Sequence, residues 1–279
     1  MSEAALRFLR HRLAVGGLGL VLLLVMLAVA ARLLAPHDPI RQDLPYALAG
    51  PSLEFPLGTD EFGRCILSRI LYGARFSLLV GVIATAIGAG AGILCGLAAG
   101  YFPRLDAPIM RIMDVLLAFP SILLAIAVVA ALGPSLVNVM IAVGVRSIPS
   151  YARLARSMVL SLKELEFVQG ATALGASHPR VLFRHILPNS VSPLLVFSSM
   201  QIATAILLAA ILSFLGLGVQ PPTPEWGKMV SDGRAYLMEA PHVSLFPGLA
   251  IFVAVMGFNC LGDGLRDALD PRVGRVAVE

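Results

Sequence analysis

Long runs without a charged residue alternate along the chain with short segments rich in charge, proline and glycine. An apolar run of about 20 residues is long enough to cross the ~30 Å core of a lipid bilayer as an α-helix. The stretch 115–145 is too long for one such helix, and Gly133 and Pro134 divide it. The pattern predicts an all-α membrane protein with six transmembrane helices, at about residues 13–34, 76–101, 112–132, 136–158, 191–215 and 243–261.

The first apolar run is interpreted as a retained helix and not as a signal peptide. Basic residues precede it, but the run is longer than a signal-peptide core, and no clear small-residue cleavage site follows it. The polar, proline-rich residues 36–72 are predicted to form a loop or a small cap. A second proline-rich loop is expected at 216–242.

Composition agrees with a membrane protein and argues against several other classes. Hydrophobic residues make up 58% of the chain and charged residues 14%, whereas about a quarter of a soluble protein is charged. The net charge of +4 is dispersed around apolar runs, so no nucleic-acid surface is predicted. The three cysteines match no zinc or thioredoxin-like spacing, and no metal site is predicted.

The distribution of Lys and Arg orients the predicted helices, because basic residues concentrate on the cytoplasmic side of a membrane. Thirteen of the 21 basic residues flank the side that holds both termini and the segment 160–189, and seven flank the opposite side. Both termini and 160–189 are therefore predicted to be cytoplasmic, with the loops 36–72 and 216–242 external. The remaining basic residue, Arg146, is assigned to neither side because it lies inside the fourth predicted span, away from its ends.

Four glycines at intervals of four residues lie in the second predicted span: Gly88, Gly92, Gly96 and Gly100. On a helix they line one face, where a neighbouring backbone can approach closely. Two interpretations are open at this point. The face packs tightly inside this chain, or it forms a smooth surface that slides during a conformational change.

Polar side chains inside the predicted spans are candidates for lining a path across the membrane. Arg146 is expensive to bury, by about 2.5–3.5 kcal/mol, so it either faces such a path or pairs with a carboxylate on a neighbouring helix or loop. Asp114 is expected to pair locally with Arg111. Three further residues share one face of the fifth span and either line the path or bond to another helix: Ser198, Gln201 and Thr204.

The predicted cytoplasmic segment 160–189 contains the signals for two short helices. Gly175 suits the end of the first, because glycine readily adopts the left-handed conformation found there. Ser177 is a suitable N-cap for the second, which tolerates Pro179 in its first turn and is expected to stop before Pro188. The segment has more apolar surface than a connector needs, which favours a docking site for a soluble partner or a helix lying on lipid: Phe167, Leu174, Val181, Phe183 and Ile186.

This segment resembles the coupling loop of ABC importer permeases. The family pattern is Glu-Ala-Ala, three residues, Gly, nine residues, Ile, one residue, Leu-Pro. Here Gln169-Gly170-Ala171 stands at the first triplet, Gly175 follows at the required spacing, and Leu187-Pro188 closes the pattern. Two departures are that Gln-Gly replaces Glu-Ala and that His185 stands where Ile is expected.

Three further stretches, 56–75, 215–227 and 262–271, are similar to the C-type permease subunits of the dipeptide, oligopeptide and nickel importers. Cys65 departs from the Asp that usually follows the Gly-Arg pair. The resemblance implies a type I ABC transporter transmembrane domain over residues 73–266. It also implies a preceding segment 1–72 with one extra helix and a cytoplasmic tail 267–279.

The resemblance further implies a multi-pass permease subunit in the inner membrane of a prokaryote, importing di- or oligopeptides or, alternatively, nickel chelates or glutathione-like molecules. The implied partners are a second homologous permease chain, one or two ABC ATPase subunits that hold ATP and Mg, and a periplasmic or lipid-anchored binding protein. No phosphate-binding loop occurs in this chain, so it is not expected to be an enzyme and needs no cofactor of its own.

The same resemblance assigns candidate contact residues. Ten of them are expected to contact the ATPases: Glu166, Gln169, Gly170, Ala171, Gly175, Ala176, Ser177, His178, Leu187 and Pro188. Three in the second external loop are candidates for contact with the binding protein: Gln220, Glu225 and Trp226. A Trp in this position is also a common membrane-interface anchor.

Rival functions lack their expected residues. A secondary transporter would need carboxylates inside the membrane, and the predicted spans have none away from their ends. An intramembrane enzyme would need a motif such as His-Glu-x-x-His or Gly-x-Ser-x-Gly, and neither is present. A plain scaffold or channel has no requirement for a well-capped cytoplasmic helical pair.

Overall fold

The computed structural model describes residues 11–269 as a bundle of helices. Nine helices of at least eight residues lie within this range: α1 Arg12–Val29, α2 Ile66–Tyr101, α3 Pro103–Ala118, α4 Ser121–Leu132, α5 Leu136–Leu162, α6 Glu166–Ala173, α7 His178–Phe214, α8 Trp226–Gly233 and α9 His242–Leu269. The described residues contain one isolated β-bridge, between Thr59 and Cys65, and no strand. The all-α prediction is confirmed. The N-terminal basic residues Arg7 and Arg10, and most of the predicted tail 267–279, lie outside the described residues.

Four helices, α1, α2, α7 and α9, are long and apolar enough to cross a membrane, and α3 with α4 would make a fifth crossing. α5 has 27 residues, which is also enough to cross ~30 Å. Its mean hydropathy is lower than that of the other four helices because it carries Arg146, Arg153 and Arg156. Six crossings therefore remain the prediction, with α5 as the least apolar.

The predicted span at 112–132 is not one continuous helix. α3 and α4 meet at an angle of 94°, and the break falls at Phe119 and Pro120. Proline has no N–H to continue the hydrogen-bond ladder, and it forces the residue before it out of the helical region. Phe119 accordingly has extended backbone angles. The apolar run continues across this break, so hydropathy alone does not reveal it.

The prediction that the second cytoplasmic helix stops before Pro188 is also wrong. α7 runs from His178 to Phe214 as one helix of 37 residues. A π-helical turn, Val181–Ile186, stands directly before Pro188, and Leu187 donates to the carbonyl of Leu182. Because this wider turn already departs from the α-helical ladder, the missing N–H of proline interrupts little.

α2 begins at Ile66, earlier than the predicted start near residue 76. Arg69 at this end is 3% exposed, donates to the carbonyl of Pro39 at 3.0 Å and lies 3.3 Å from the carboxylate of Asp60. Arg64 also pairs with Asp60, at 2.7 Å. These charged residues, which the sequence predicted to lie in a loop, thus form a buried network that holds the cap 36–65 on the start of α2. The second loop, 216–242, likewise contains a helix, α8.

The glycine stripe of α2 lies against α5 throughout its length. A Cβ at Gly92 would lie 2.6 Å from the carbonyl oxygen of Ile148, and one at Gly96 would overlap the carbonyl oxygen of Ala152. At Gly88 it would overlap the hydroxyl of Ser147. Of the two open interpretations, the structure supports tight packing inside this chain.

α1 contacts the rest of the bundle near both of its ends. A Cβ at Gly17 would lie 2.6 Å from the backbone nitrogen of Leu261 on α9, so the two backbones are in close contact. Near the other end of α1, Arg75 donates to the carbonyl of Ala28 at 2.5 Å and to that of Val29 at 3.0 Å. The extra N-terminal helix is therefore an integral part of the bundle.

Gly92→Leu should destabilise the bundle, because its side chain would have to displace the α5 backbone. Overpacking of this kind costs about 1–3 kcal/mol or more. The matched control is Gly90→Leu on the same helix, since Gly90 is exposed and has nothing within 4 Å of its Cβ position. The measurement is thermal stability and monodispersity of the detergent-solubilised protein. Equal stability of the two variants would contradict the packing described here.

Candidate functional site

Residues 165–183, the predicted docking segment and called the docking surface below, comprise α6, the following turn and the first turn of α7. It is anchored by a small apolar core in which Val168, Val181 and Ile186 pack against Leu97 of α2 and Val159 of α5. Val181 and Ile186 are fully buried. They therefore hold the surface in place and are not part of the exposed apolar area to which the sequence assigned them.

The turn between α6 and α7 is built around Gly175, whose φ is +82°. Its N–H donates to the carbonyl of Thr172 at 3.0 Å, and that of Ala176 donates to Ala171 at 3.1 Å, which satisfies the last carbonyls of α6. Ser177 occupies the N-cap position of α7, as predicted, but its side chain makes no capping bond. The predicted helix end at Gly175 is confirmed.

His178 joins the start of α7 to the end of α2. Its Nδ1 lies 3.0 Å from the hydroxyl of Tyr101, and its ring contacts the edges of Tyr101 and Phe102. No metal-ligating cluster is found among the described residues. These contacts fix the first turn of α7 to the end of α2.

Most of the ten candidate ATPase contacts are accessible. Seven are exposed: Glu166, Gln169, Gly170, Gly175, Ser177, His178 and Pro188. Ala171, Ala176 and Leu187 are half-buried. Leu174, at the tip of the turn, is 91% exposed. Phe167 and Phe183 are also exposed. An apolar side chain presented in this way on a rigidly anchored turn is typical of a protein-binding surface.

The three candidate path residues of α7 do not form one group. Tyr151 of α5 donates to the hydroxyl of Ser198 at 2.9 Å, so Ser198 takes part in an interhelical hydrogen bond. Thr204 is exposed and donates to the carbonyl of Met200 within its own helix. Gln201 is half-buried. Thr204 and Gln201 stay predictions for the path, whereas Ser198 has a structural partner.

Arg146 lies beside the break between α3 and α4, in a cavity of about 400 Å³ that it lines together with Phe119, Ser121 and Ser150. No ion pair joins it to a carboxylate within residues 11–269. The alternative in which Arg146 pairs with a carboxylate of a neighbouring helix or loop is therefore not found in the described chain.

Two ion pairs tie α3 to α5. Arg153 lies 2.6 Å from Asp114, and Arg156 binds the carboxylate of Asp106 through two nitrogens, at 2.5 and 2.6 Å. The expected local pair of Asp114 with Arg111 is wrong, because α5 brings a guanidinium closer. Sequence reasoning missed Asp106 and Arg156, which are 50 residues apart and share no local pattern.

In the second external loop, Glu225 and Trp226 are buried, at 4% and 1% exposure. The carboxylate of Glu225 caps α8 by accepting from the N–H groups of Gly227 and Lys228, both at 2.9 Å. Trp226 donates to the carbonyl of Ile70 on α2 at 3.0 Å. Neither side chain offers a surface to a binding protein, and Trp226 is not a lipid anchor. Gln220 is exposed.

The family model for the inner membrane component of binding-protein-dependent transport systems matches residues 88–275. The chain belongs to this family. A second family model, for the N-terminal transmembrane domain of oligopeptide transport permease C, matches residues 1–51. The chain is thus an ABC importer permease of the C-subunit type, and its N-terminal helix is a feature of that type.

Curated relatives match almost the whole chain. The permease is 49% identical over 272 residues to a dipeptide transport system permease protein of Alkalihalophilus pseudofirmus, covering 97% of this chain and 90% of the relative. It is 53% identical over 269 residues to a glutathione transport system permease protein of Escherichia coli, covering 96% and 89%.

Solved structures share the fold at low sequence identity. An amino acid ABC transporter with histidines aligns with a TM-score of 0.53 and 15% identity, over 70% of this chain and 91% of that one. An inward-facing MetNI methionine ABC transporter aligns with a TM-score of 0.51 and 16% identity, over 72% and 94%. The permease therefore has the type I ABC transporter transmembrane fold.

Glu225→Ala should destabilise the second external loop by about 1 kcal/mol, the usual cost of a lost helix cap. Glu225→Gln keeps an acceptor and should cost less. Burial raises the pKa of Glu225, so the folded loop binds this proton more tightly than the unfolded chain. Proton binding by Glu225 therefore stabilises the folded loop in acid, and this stabilisation is lost as pH rises through the raised pKa. With rising pH, Glu225→Gln should accordingly become more stable relative to wild type.

Thermal unfolding followed by fluorescence tests this, because Trp226 is the only tryptophan of the chain and lies next to the cap. Melts of wild type, Glu225→Ala and Glu225→Gln are compared at about pH 5 and about pH 8. An advantage of the Gln variant that shrinks with rising pH would show that the carboxylate is not stabilised in its protonated form.

Proposed function

We propose that this permease moves di- or oligopeptides into the cell and receives its energy from ATPase subunits that bind the docking surface. The observation that carries the proposal is the exposed tip at Leu174, presented on helices that an internal core fixes to the ends of α2 and α5. ATP and magnesium belong to the ATPase subunits. Both termini and the docking surface would then be cytoplasmic.

Continuity of α7 supports coupling over a long distance. The helix begins in the docking surface and ends at the second external loop. Its 37 residues span about 55 Å at 1.5 Å per residue. A displacement at His178 would therefore be transmitted along one rigid helix to the opposite side of the membrane, as rigid-body switching requires.

The remaining partners are a second permease chain and a binding protein. A second, homologous permease chain would complete the path. The exposed Thr204 and the half-buried Gln201 of α7 are the candidates to line it. A periplasmic or lipid-anchored binding protein would deliver cargo to the external side. Gln220 is the exposed candidate for that contact, since Glu225 and Trp226 are buried.

The cargo class rests on the relatives. One acts in dipeptide transport and another in glutathione transport, and both cargoes are small molecules with peptide bonds and free carboxylates. Glutathione-like molecules are the second candidate on this basis, and nickel chelates remain an alternative. A secondary transporter is disfavoured because the chain belongs to a binding-protein-dependent family.

Leu174→Asp should prevent the ATPase subunits from binding, because a charge would replace the most exposed apolar side chain of the docking surface. The expected result is at least a ten-fold loss of ATP-dependent peptide uptake, equal to about 1.4 kcal/mol or more, with loss of ATPase copurification. Leu53→Asp is the matched control, since Leu53 is fully exposed in the external cap. Normal copurification with Leu174→Asp would contradict the assignment.

Gly175→Pro should abolish uptake while the protein still inserts in the membrane. Proline fixes φ near −65°, whereas Gly175 has a φ of +82°, so the turn of the docking surface cannot form. Membrane insertion is measured by fractionation and uptake with a labelled peptide. Full uptake by this variant would show that the turn does not transmit the motion.

A further inference from the structure

Arg146 is half-buried and lies far from both ends of α5. It is the eleventh residue of a helix that begins at Leu136, so it lies ~15 Å along the axis from the external end. The neighbouring α4 descends from the same external turn over 12 residues, or ~18 Å. The start of α4 and Arg146 are therefore at a similar depth, near the middle of the predicted membrane.

The space between them is a partly open cavity, with the exposed residues Phe119 and Ser121 on its rim. It has a volume of about 400 Å³ and is lined by Phe119, Pro120, Ser121 and Leu124 on one side and by Arg146 and Ser150 on the other. It lies at the 94° turn between α3 and α4. The volume lies within the range of small-molecule sites, about 300–1,000 Å³.

The cavity contains a positive charge and no negative one. An arginine stays protonated in a protein, and no acidic residue lines this space. The two acidic residues of α3, Asp106 and Asp114, are bound by Arg156 and Arg153, respectively. An intramembrane charge of this kind marks a functional site and calls for an anionic partner.

We propose that this cavity is a carboxylate-binding subsite of the translocation path. The guanidinium of Arg146 binds a carboxylate of the passing peptide, with the hydroxyls of Ser121 and Ser150 as additional donors. Arg suits this task because its planar fork matches a carboxylate with two parallel hydrogen bonds. Phe119 and Leu124 provide an apolar wall for the adjoining side chain. This inference rests on the proposed peptide-import function.

A carboxylate on the sister permease is the competing partner for Arg146, and cargo dependence separates the two. If Arg146 binds the sister chain, its loss would reduce the uptake of every cargo equally. A bond to the cargo would matter only when the cargo carries the carboxylate. The variants are Arg146→Gln, which removes the charge, and Arg146→Lys, which keeps it without the fork. The control is Arg111→Gln, an exposed arginine of α3 outside the cavity.

The experiment measures uptake by cells that express the complete transporter, at saturating cargo, for a peptide with a free C-terminal carboxylate and for its C-terminal amide. The affinity of the binding protein for each form is measured separately, so that its own preference is accounted for. For Arg146→Gln we expect a loss of about ten-fold or more with the free carboxylate and about two-fold or less with the amide. Arg146→Lys should be intermediate, and Arg111→Gln unchanged.

Equal losses with both cargoes, or no loss with either, would overturn the subsite. If wild type takes up only the peptide with the free carboxylate, the uptake rates of Arg146→Lys and Arg146→Gln are compared. Equal rates overturn the carboxylate-binding subsite, and a clearly higher rate for Arg146→Lys supports it. Failure of wild type to take up either peptide would instead refute the proposed cargo class, and the subsite with it. The two failures are thus distinguished by the wild-type rates.

Discussion

The backbone contact between α2 and α5 is the interaction on which the other parts of the permease depend. In lipid, helices gain no hydrophobic free energy by associating, so close packing and hydrogen bonds must hold them together. The stripe Gly88–Gly100 lets α5 lie directly against α2. The two helices then act as one support. Tyr101 at the end of α2 holds His178 of the docking surface, and α5 holds α3 through two ion pairs.

This support also determines how motion can spread. Val168 and Val181 fix the docking surface to α2 and α5, and Tyr151 ties α5 to α7 through Ser198. A force at the docking surface would therefore move these helices together and not bend one of them. Rigid-body movement of this unit against a sister permease is the mode that such packing allows, since packed cores shift between discrete arrangements and do not deform continuously.

The sequence predicted those features that a local pattern determines. Apolar runs located the long helices, the four-residue glycine spacing located the packing face, and Gly175 located the turn. It failed where the deciding partner is distant. Trp226 looked like an interface anchor because its acceptor, Ile70, is 156 residues away. Arg69 looked like a loop residue because its acceptor, Pro39, lies 30 residues earlier. The break at Pro120 escaped notice because both flanking segments are apolar.

The cavity beside Arg146 bears on how a path can bind cargo and still release it. A desolvated arginine without a partner would bind a carboxylate so strongly that release would be slow. A cavity of about 400 Å³ has room for water, which solvates the charge when no cargo is present. A cargo carboxylate would then exchange with water at the guanidinium, and the net free energy of binding would be a small difference between two large terms. Because conduction requires binding weak enough to permit exit, an open, hydrated site suits transport better than a tightly closed pocket would.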